Sequence, residues 1–335
     1  MGIMIGNVET RNNVFLAPMS GVTDEPFREI AHEAGAGLVV SEMVASEELV
    51  RERPDMMRRA RGHKNLSPFV MQLAGREAKW MSEGTRVAQD MGADIIDINM
   101  GCPARQVTGG LSGSALMRDL DHALTLIEAA VAVAKVPVTL KMRLGWDEKM
   151  LNAPELAKRA EAAGIALITV HGRTRCQFYT GKADWNAIRA VRNAIKIPLI
   201  ANGDGQTVED AQAMMAASGA DGIMIGRGSY GRPWWPGVIA EKLNKGSGGT
   251  EPSLEIENRF LLTQHAETLS LYGQVLGNRT FRKHLGWTIT RLHKRNLLSQ
   301  EAAEQLRATL LRENDNKKVR EGIDRLYRDQ LSNAA

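Results

Sequence analysis

Apolar residues in the first two thirds of this chain come in short, unbroken runs that close on polar ones. Residues 14–19 (VFLAPM), 37–43 (GLVVSEM), 68–73 (PFVMQL) and 94–100 (DIIDINM) begin the series. Residues 137–143 (PVTLKMR), 166–172 (ALITVHG), 197–203 (IPLIANG) and 221–227 (DGIMIGR) complete it. Runs this short, rich in Val and Ile and bounded by turn residues, predict strands. Their continuous apolarity predicts strands covered on both faces, as in a parallel sheet. The stretches between them carry apolar residues at helical spacing among good helix formers, as in 77–91, 121–134 and 208–218. Strand then helix, eight times over, is the pattern of an α/β (β/α)₈ TIM barrel.

The alternation stops near residue 243. Residues 244–252 (NKGSGGTEP) read as a Gly/Ser/Pro linker, and the remainder shows only helical periodicity, in 254–272, 281–294, 299–312 and 317–331. The expected organisation is therefore a barrel domain over 1–243 and a small C-terminal all-helical domain over 253–335.

Composition narrows the class. With 335 residues, 43% of them hydrophobic, the chain can bury a full core. No apolar stretch approaches the roughly 18 residues a membrane helix needs, and the N-terminus does not read as a secretory leader, so a cytoplasmic protein without membrane contact is expected. Two cysteines, Cys102 and Cys176, build neither a disulfide framework nor a Cys-rich metal site, and no metal is expected. The net charge of +4 lies in the C-terminal part, where residues 253–335 hold 14 Lys/Arg against 10 Asp/Glu.

Active sites of TIM barrels form at the C-terminal ends of the strands, so the polar residues that close these runs are the candidates for chemistry. Gln72, Asn99, Lys141 with Arg143, His171 with Arg173, Asn202 with Asp204, and Gly226 with Arg227 close six of them. Any one could be an ordinary loop hydrogen-bonder. Six on one rim predict a single concave polar site. Lys141, inside an apolar strand, needs an anion or hydrogen bonds to offset its desolvation. The glycines of NGDGQT (202–207) and IGRGS (225–229) suit phosphate binding after the last two strands. The sequence G226-R-G-S-Y-G231 matches a dinucleotide fingerprint formally, but it follows the last strand rather than opening a βαβ unit. Cys102, in NMGCP, is placed over the barrel mouth, where a thiol of ordinary pKa is protonated at neutral pH; it reads as a proton donor in preference to a nucleophile, which would need a base. Cys176 reads as an inert small hydrophobe.

Taken together, APMSGVTD (17–24), MQLAG (71–75), DINMGCP (97–103), TLKMR (139–143), HGRTR (171–175), ANGD (201–204) and MIGRG (224–228) resemble the tRNA-dihydrouridine synthase family. Residues 112–117 (SGSALM) and 281–287 (FRKHLGW) resemble its bacterial B-type branch, also labelled nitrogen-regulation-like. The resemblance implies FMN as cofactor and NADPH or NADH as reductant. It places Pro18, Met19 and Ser20 at the flavin ring edge, with Gln72 and Lys141 against the ring system. His171, Asn202, Gly203, Asp204, Gly226 and Arg227 would hold the ribityl chain and phosphate. Asn99 would orient a uracil, Cys102 would be the general acid, and the substrate would be a D-loop uridine of tRNA, at position 17 in preference to 16 or 20.

A uridine must leave its stack to meet a flavin inside a barrel, and basic or aromatic surfaces would hold the RNA. Residues 279–295 carry Arg279, Arg282, Lys283, Arg291, Lys294 and Arg295 with no acidic residue, beside His284 and Trp287. Arg279, Arg282 and Lys283 are the expected tRNA contacts. After Cys102, where the branch carries lysines, this chain has Arg105, Gln106 and the neutral TGGLSG (108–113). A monomer is expected. Two other readings stand beside this one: an FMN-dependent reductase or dehydrogenase of a free pyrimidine, which would not need the basic helical unit, and a non-catalytic RNA-binding regulator, which would not need the acid.

Overall fold

The computed structural model describes residues 2–62, 66–245 and 250–334. Eight parallel strands form the barrel: β1 Val14–Leu16, β2 Leu38–Val39, β3 Val70–Ala74, β4 Ile95–Met100, β5 Val138–Arg143, β6 Leu167–His171, β7 Leu199–Asn202 and β8 Gly222–Ile225. β3 to β8 pair in sequence order, and β8 then pairs with β1 and β1 with β2. The ring closes through a parallel bridge between Val40 and Val70, where the Ser41 N–H donates to Val70 O at 3.0 Å. Beyond it Val44–Ala45 pairs with the far end of β3. The second expected strand thus meets its neighbour in two steps, because the Ser41 hydroxyl accepts the Gln72 N–H between them.

Helices follow the strands as expected: α1 Glu25–Glu33, α2 Ala78–Asp90, α3 Leu120–Val131, α4 Ala153–Ala162, α5 Trp185–Ala194, α6 Val208–Ser218 and α7 Trp235–Lys245. The start of α6 shows why the boundaries were legible: Thr207 and Asp210 form a reciprocal capping box. After β2 two short helices, Ser46–Val50 and Pro54–Arg59, stand in for one long one, separated by the segment that leads into Pro54.

The strands are less uniform than their sequence suggests. Ile96, Ile98 and Met100 of β4, Leu140 and Met142 of β5, and Ile168 and Val170 of β6 belong to the main core. The residues between them, Asp97, Asn99, Thr139, Lys141, Thr169 and His171, are mostly polar. A period of two therefore lies inside the apolar runs. The N-terminal end of the barrel is filled instead: Ile3 and Ile5, from a hairpin that pairs Met4–Ile5 with Val8–Glu9, pack against Phe15, Leu38, Ile95 and Ile200. A closed apolar floor leaves the polar half open only at the C-terminal rim.

Four helices follow: α8 Leu254–Tyr272, α9 Gln274–Lys294, α10 Gln300–Thr309 and α11 Asn316–Ala334. They share a core of their own that includes Leu261, Phe281, Leu285, Ile289, Ile323 and Tyr327. Residues 246–249 of the expected linker lie outside the described residues. The helical unit sits against the barrel through several contacts, among them aromatic stacks, a close backbone approach and the hydrogen bond from Arg291 Nε to Gly231 O. Trp287 stacks on Tyr230 with centroids 3.9 Å apart, and Trp234 stacks on Phe260. Gly231, at φ +69°, lies so close to Trp287 that a Cβ would fall 2.7 Å from its carbonyl carbon, which leaves room for glycine alone. Arg291 and Arg295 of α9 both pair with the fully buried Glu257 of α8 and with Glu251. Among the described residues no helix is long and apolar enough to cross a membrane.

Candidate active site

The open end of the barrel holds a cavity of about 570 Å³. Pro18, Met19 and Ser20 line it from the loop after β1, Gln72 from β3, Asn99 and Cys102 from β4 and its loop, Lys141 and Arg143 from β5, and His171 from β6. Asn202, Gly203 and Asp204 line it after β7, and Gly226 and Arg227 after β8. Residues spread over more than 200 positions of sequence meet here because each closes a strand of one ring.

At its centre is a directed chain of hydrogen bonds. Buried Asp97 accepts from the Thr139 hydroxyl at 2.6 Å and from Gln72 Nε2 at 2.6 Å. That orients the Gln72 amide so that its Oε1 accepts from Asn99 Nδ2 at 2.8 Å. Asn99 Oδ1 then accepts the backbone N–H of Gly101 and of Cys102. Arg143 holds the same loop from the other side, donating to Gly101 O at 2.9 Å. The Ser114 hydroxyl donates to Cys102 O. Asn99 thus spends its carbonyl oxygen and one amide hydrogen on the protein, which leaves it one N–H for a ligand.

Burial pushes the Cys102 thiol up from its ordinary value of 9.0, against the pull of Arg143 and Lys141. The thiol is therefore a neutral proton carrier at physiological pH. Cys176, expected as an inert hydrophobe, is instead exposed on the loop after β6, where its N–H bonds Trp146 O.

Lys141, Arg143 and Arg227 line the cavity from the strand ends, with Arg173 directly behind them. Lys141 is half-buried, and desolvation lowers it from 10.5 to about 8 with the neighbouring Arg143 adding to the effect. Its one hydrogen bond goes to the neutral amide oxygen of Asn202 at 3.2 Å, whose own Nδ2 is spent on Met224 O. Burial, with Arg143 and Lys141 adding to it, drives His171 well below its ordinary range, so the imidazole is neutral. Arg173 is paired to Asp204 through both carboxylate oxygens, at 2.9 and 2.7 Å, and Arg227 reaches the same carboxylate at 3.1 Å. Asp204 therefore positions two guanidiniums, of which Arg227 stays about half-exposed. A half-buried ammonium whose one hydrogen bond goes to an amide, half-exposed Arg227 and Gly203, Gly205, Gly226 and Gly228 on two adjacent loops form a donor-rich surface suited to an anion with a polar tail.

Three aromatic residues of this mouth were not singled out from sequence. Phe178 and Tyr179, about 44% and 45% exposed, stand at the rim on the loop after β6, with the guanidiniums of Arg143 and Arg227 over the Tyr179 ring. Tyr230 joins the cavity wall to Trp287 of the helical unit. The signal available was only their aromatic type in a polar loop.

The expected basic stripe of α9 does not exist as one surface. Arg291 is buried among Glu257, Glu251 and Gly231 O, Arg295 shares the same carboxylates, and His284 is buried against Phe27 and Trp287. Arg282 donates to Glu313 O and Asn314. Lys283 is half-buried under the field of Asp24 and Glu42, an acid pair of the barrel. Arg279 is exposed. Neighbours along a helix point a hundred degrees apart, so one basic run divides between core and solvent. None of Arg279, Arg282 and Lys283 lines the cavity.

A family model described as dihydrouridine synthase matches residues 15–325. A probable tRNA-dihydrouridine synthase of Rhizobium leguminosarum is 57% identical over 85% of this chain and 87% of its own. One of Rhodobacter capsulatus is 50% identical over 94% of each, and tRNA-dihydrouridine synthase B of Pseudomonas putida is 44% identical over 85% of each. Among solved structures, histamine dehydrogenase of Rhizobium sp. 4-9 overlays 79% of this chain and 50% of its own with a TM-score of 0.56 at 14% identity, which is a likeness of barrel fold. Morphinone reductase does so over 76% of this chain and 91% of its own, with a TM-score of 0.53 at 16% identity.

Proposed function

The chain belongs to the dihydrouridine synthase family, and from that premise we propose that it reduces the C5–C6 double bond of a D-loop uridine in tRNA, at position 17, with FMN as cofactor and NADPH or NADH as reductant. The observation that carries this reading is Cys102: a lone thiol at the mouth of a polar barrel, kept protonated by burial and fixed in place by Asn99.

The residues present fit a flavin mononucleotide. Lys141, a half-buried cation whose one hydrogen bond goes to a neutral amide, would hold the ring system together with Gln72 and the Pro18–Met19–Ser20 edge. His171, Asn202, Gly203, Asp204, Gly226 and Arg227 would take the ribityl chain and phosphate, with Arg227 supplying the charge. When bound, that group supplies the hydride delivered to C6 of the pyrimidine. What the protein contributes is placement and a proton. The free N–H of Asn99 holds a uracil carbonyl, the cavity excludes water, and Cys102 Sγ gives its proton to C5 as the electron pair of the double bond collects there.

In this proposal the barrel over residues 1–243 is the catalytic domain, and the helical unit over 253–335 meets the RNA through Arg279, Arg282 and Lys283. The protein is placed in the cytoplasm, where tRNA is modified. The test is to purify the protein, identify any released cofactor by chromatography, and follow NADPH oxidation with and without unmodified tRNA. FMN release together with tRNA-dependent oxidation supports the reading; oxidation driven by free uracil and indifferent to tRNA would transfer it to the free-pyrimidine enzymes.

A further inference from the structure

A second cavity of about 510 Å³ opens beside the first, and the two share Met43, Arg59, Gln106 and Val107 in their walls. Gln106 and Val107 stand on the short helix Arg105–Thr108 directly past Cys102, so this groove begins on the side of the mouth that carries the thiol. Its far wall is Trp80 of α2, a half-buried indole with the Lys79 ammonium 4.7 Å and the Arg51 guanidinium 5.4 Å from its ring centroid, two surface cations that a stacked base would displace or join. Its floor includes Gly75, whose carbonyl accepts from the Ser112 hydroxyl.

The charges of the groove divide unevenly between paired and unpaired groups. Glu48 and Asp55 are both held by Arg53 at 2.7 Å, and Glu47 by Arg51 at 2.8 Å. The Arg59 side chain, at the junction of the two cavities, makes no ion pair or hydrogen bond among the described residues, and its nearest counter-charge is Asp55, one helical turn earlier and already held by Arg53. A guanidinium with its hydrogen-bond donors unspent, set between a pocket sized for a reacting base and a groove ending in an aromatic wall, matches the order base, phosphodiester, base along one strand of RNA. Arginine favours phosphate through its planar fork of donors, and an indole face stacks on a nucleobase whatever its identity.

Resting on the proposed function, we infer that this groove binds the nucleotide adjoining the target uridine, with Arg59 on the phosphodiester between the two and Trp80 against the neighbouring base. The groove is a positioning site. By holding the next nucleotide it keeps the extruded uridine from falling back into its stack, at the distance from Cys102 that proton transfer needs.

Equilibrium binding of unmodified tRNA to the flavin-loaded protein tests it, with NADPH affinity measured in parallel. Arg59→Ala weakens tRNA binding by about tenfold and lowers the salt slope by about one, as expected for one lost phosphate contact. Arg59→Lys recovers most of that loss. Trp80→Ala weakens binding by a similar factor, Trp80→Phe by less, and both keep the native melting temperature. An abasic residue next to the target, on one side only, costs as much as Trp80→Ala in the native protein and adds nothing in the Trp80→Ala protein. Additive losses at both neighbouring positions, or unchanged tRNA binding in Arg59→Ala, overturn the inference. A loss of NADPH affinity in Arg59→Ala assigns the phosphate to the dinucleotide and overturns it as well. Because the readout is binding, a protein that binds tRNA in this way but forms no dihydrouridine would defeat the proposed function and leave the groove assignment standing.

Discussion

Asn99 Oδ1 accepts the backbone N–H of Cys102 at 2.9 Å, so a side chain on a rigid barrel strand fixes the loop that carries the thiol. The direction of that amide is itself imposed. Asp97 can only accept from Gln72 Nε2, which turns Gln72 Oε1 toward Asn99 Nδ2 and leaves Asn99 Oδ1 for the loop.

Removing the anchor should misplace the acid without emptying the flavin site. Asn99→Ala is expected to slow uridine reduction by about 100-fold, the scale on which a displacement near 1 Å acts. Asp97→Asn should slow it by a smaller factor, because an amide at that position allows Gln72 and Asn99 to flip together. Single-turnover formation of dihydrouridine by prereduced enzyme checks both; an unchanged rate in Asn99→Ala would show that the loop stands without it.

The thiol itself sets a pH dependence. Since burial raises Cys102 above 9.0 and the acid acts in its protonated form, the alkaline limb of the reduction rate should lie above pH 9. Cys102→Ser, a far weaker acid, should be slower by about 100-fold or more at pH 7.5 and show no such limb. A rate profile from pH 6 to 10.5 measures this, and a limb near pH 7 would mean that the group losing its proton is one held well below 9, against the effect of burial on Cys102.

Lys141 makes a prediction of opposite sign for stability. Its folded pKa of about 8 lies below the ordinary 10.5, so its charge costs the flavin-free protein stability below pH 8, and that penalty fades between pH 8 and 10.5. Lys141→Met should therefore raise the melting temperature of the flavin-free protein at pH 7 and, on the proposed function, weaken binding of added FMN. Titration calorimetry near pH 8.5 should show proton uptake as FMN binds the native chain and none in the variant.

The Glu257 cluster governs how the helical unit sits. Glu257 is fully buried and holds both Arg291 and Arg295. Glu257→Gln leaves Arg291 with Glu251 as its remaining counter-charge at a buried position, at a cost below the roughly 3–5 kcal/mol of a fully uncompensated buried charge. Thermal melts should fall accordingly, and limited proteolysis should cut first between the barrel and α8.

Sequence made the barrel and its rim readable for one physical reason. Strand ends are where an apolar run stops, so Gln72, Asn99, Lys141, His171 and Asn202 announced themselves as polar closures. The alternation within β4–β6 was hidden, because Ile96 and Ile98 flank Asp97 in a run that is apolar on average. Long-range pairing was hidden too. Arg291 reads as part of a basic stripe until Glu257, 34 positions earlier, is seen inside the core beside it. The groove at Arg59 and Trp80 had no signal at all, since it depends on a loop after β2 meeting the short helix after Cys102. The fold is written in local pattern, whereas charge partners depend on packing across elements.

The measurement that bears most directly on the central claim is nucleoside mass spectrometry of tRNA from cells lacking this protein, complemented with the native chain or with Cys102→Ala. The account predicts that dihydrouridine drops in the absence of the protein, returns with the native chain and stays low with Cys102→Ala. Full restoration by Cys102→Ala would contradict the role given to the thiol, and an undiminished level without the protein would contradict the assignment of tRNA uridine as its substrate.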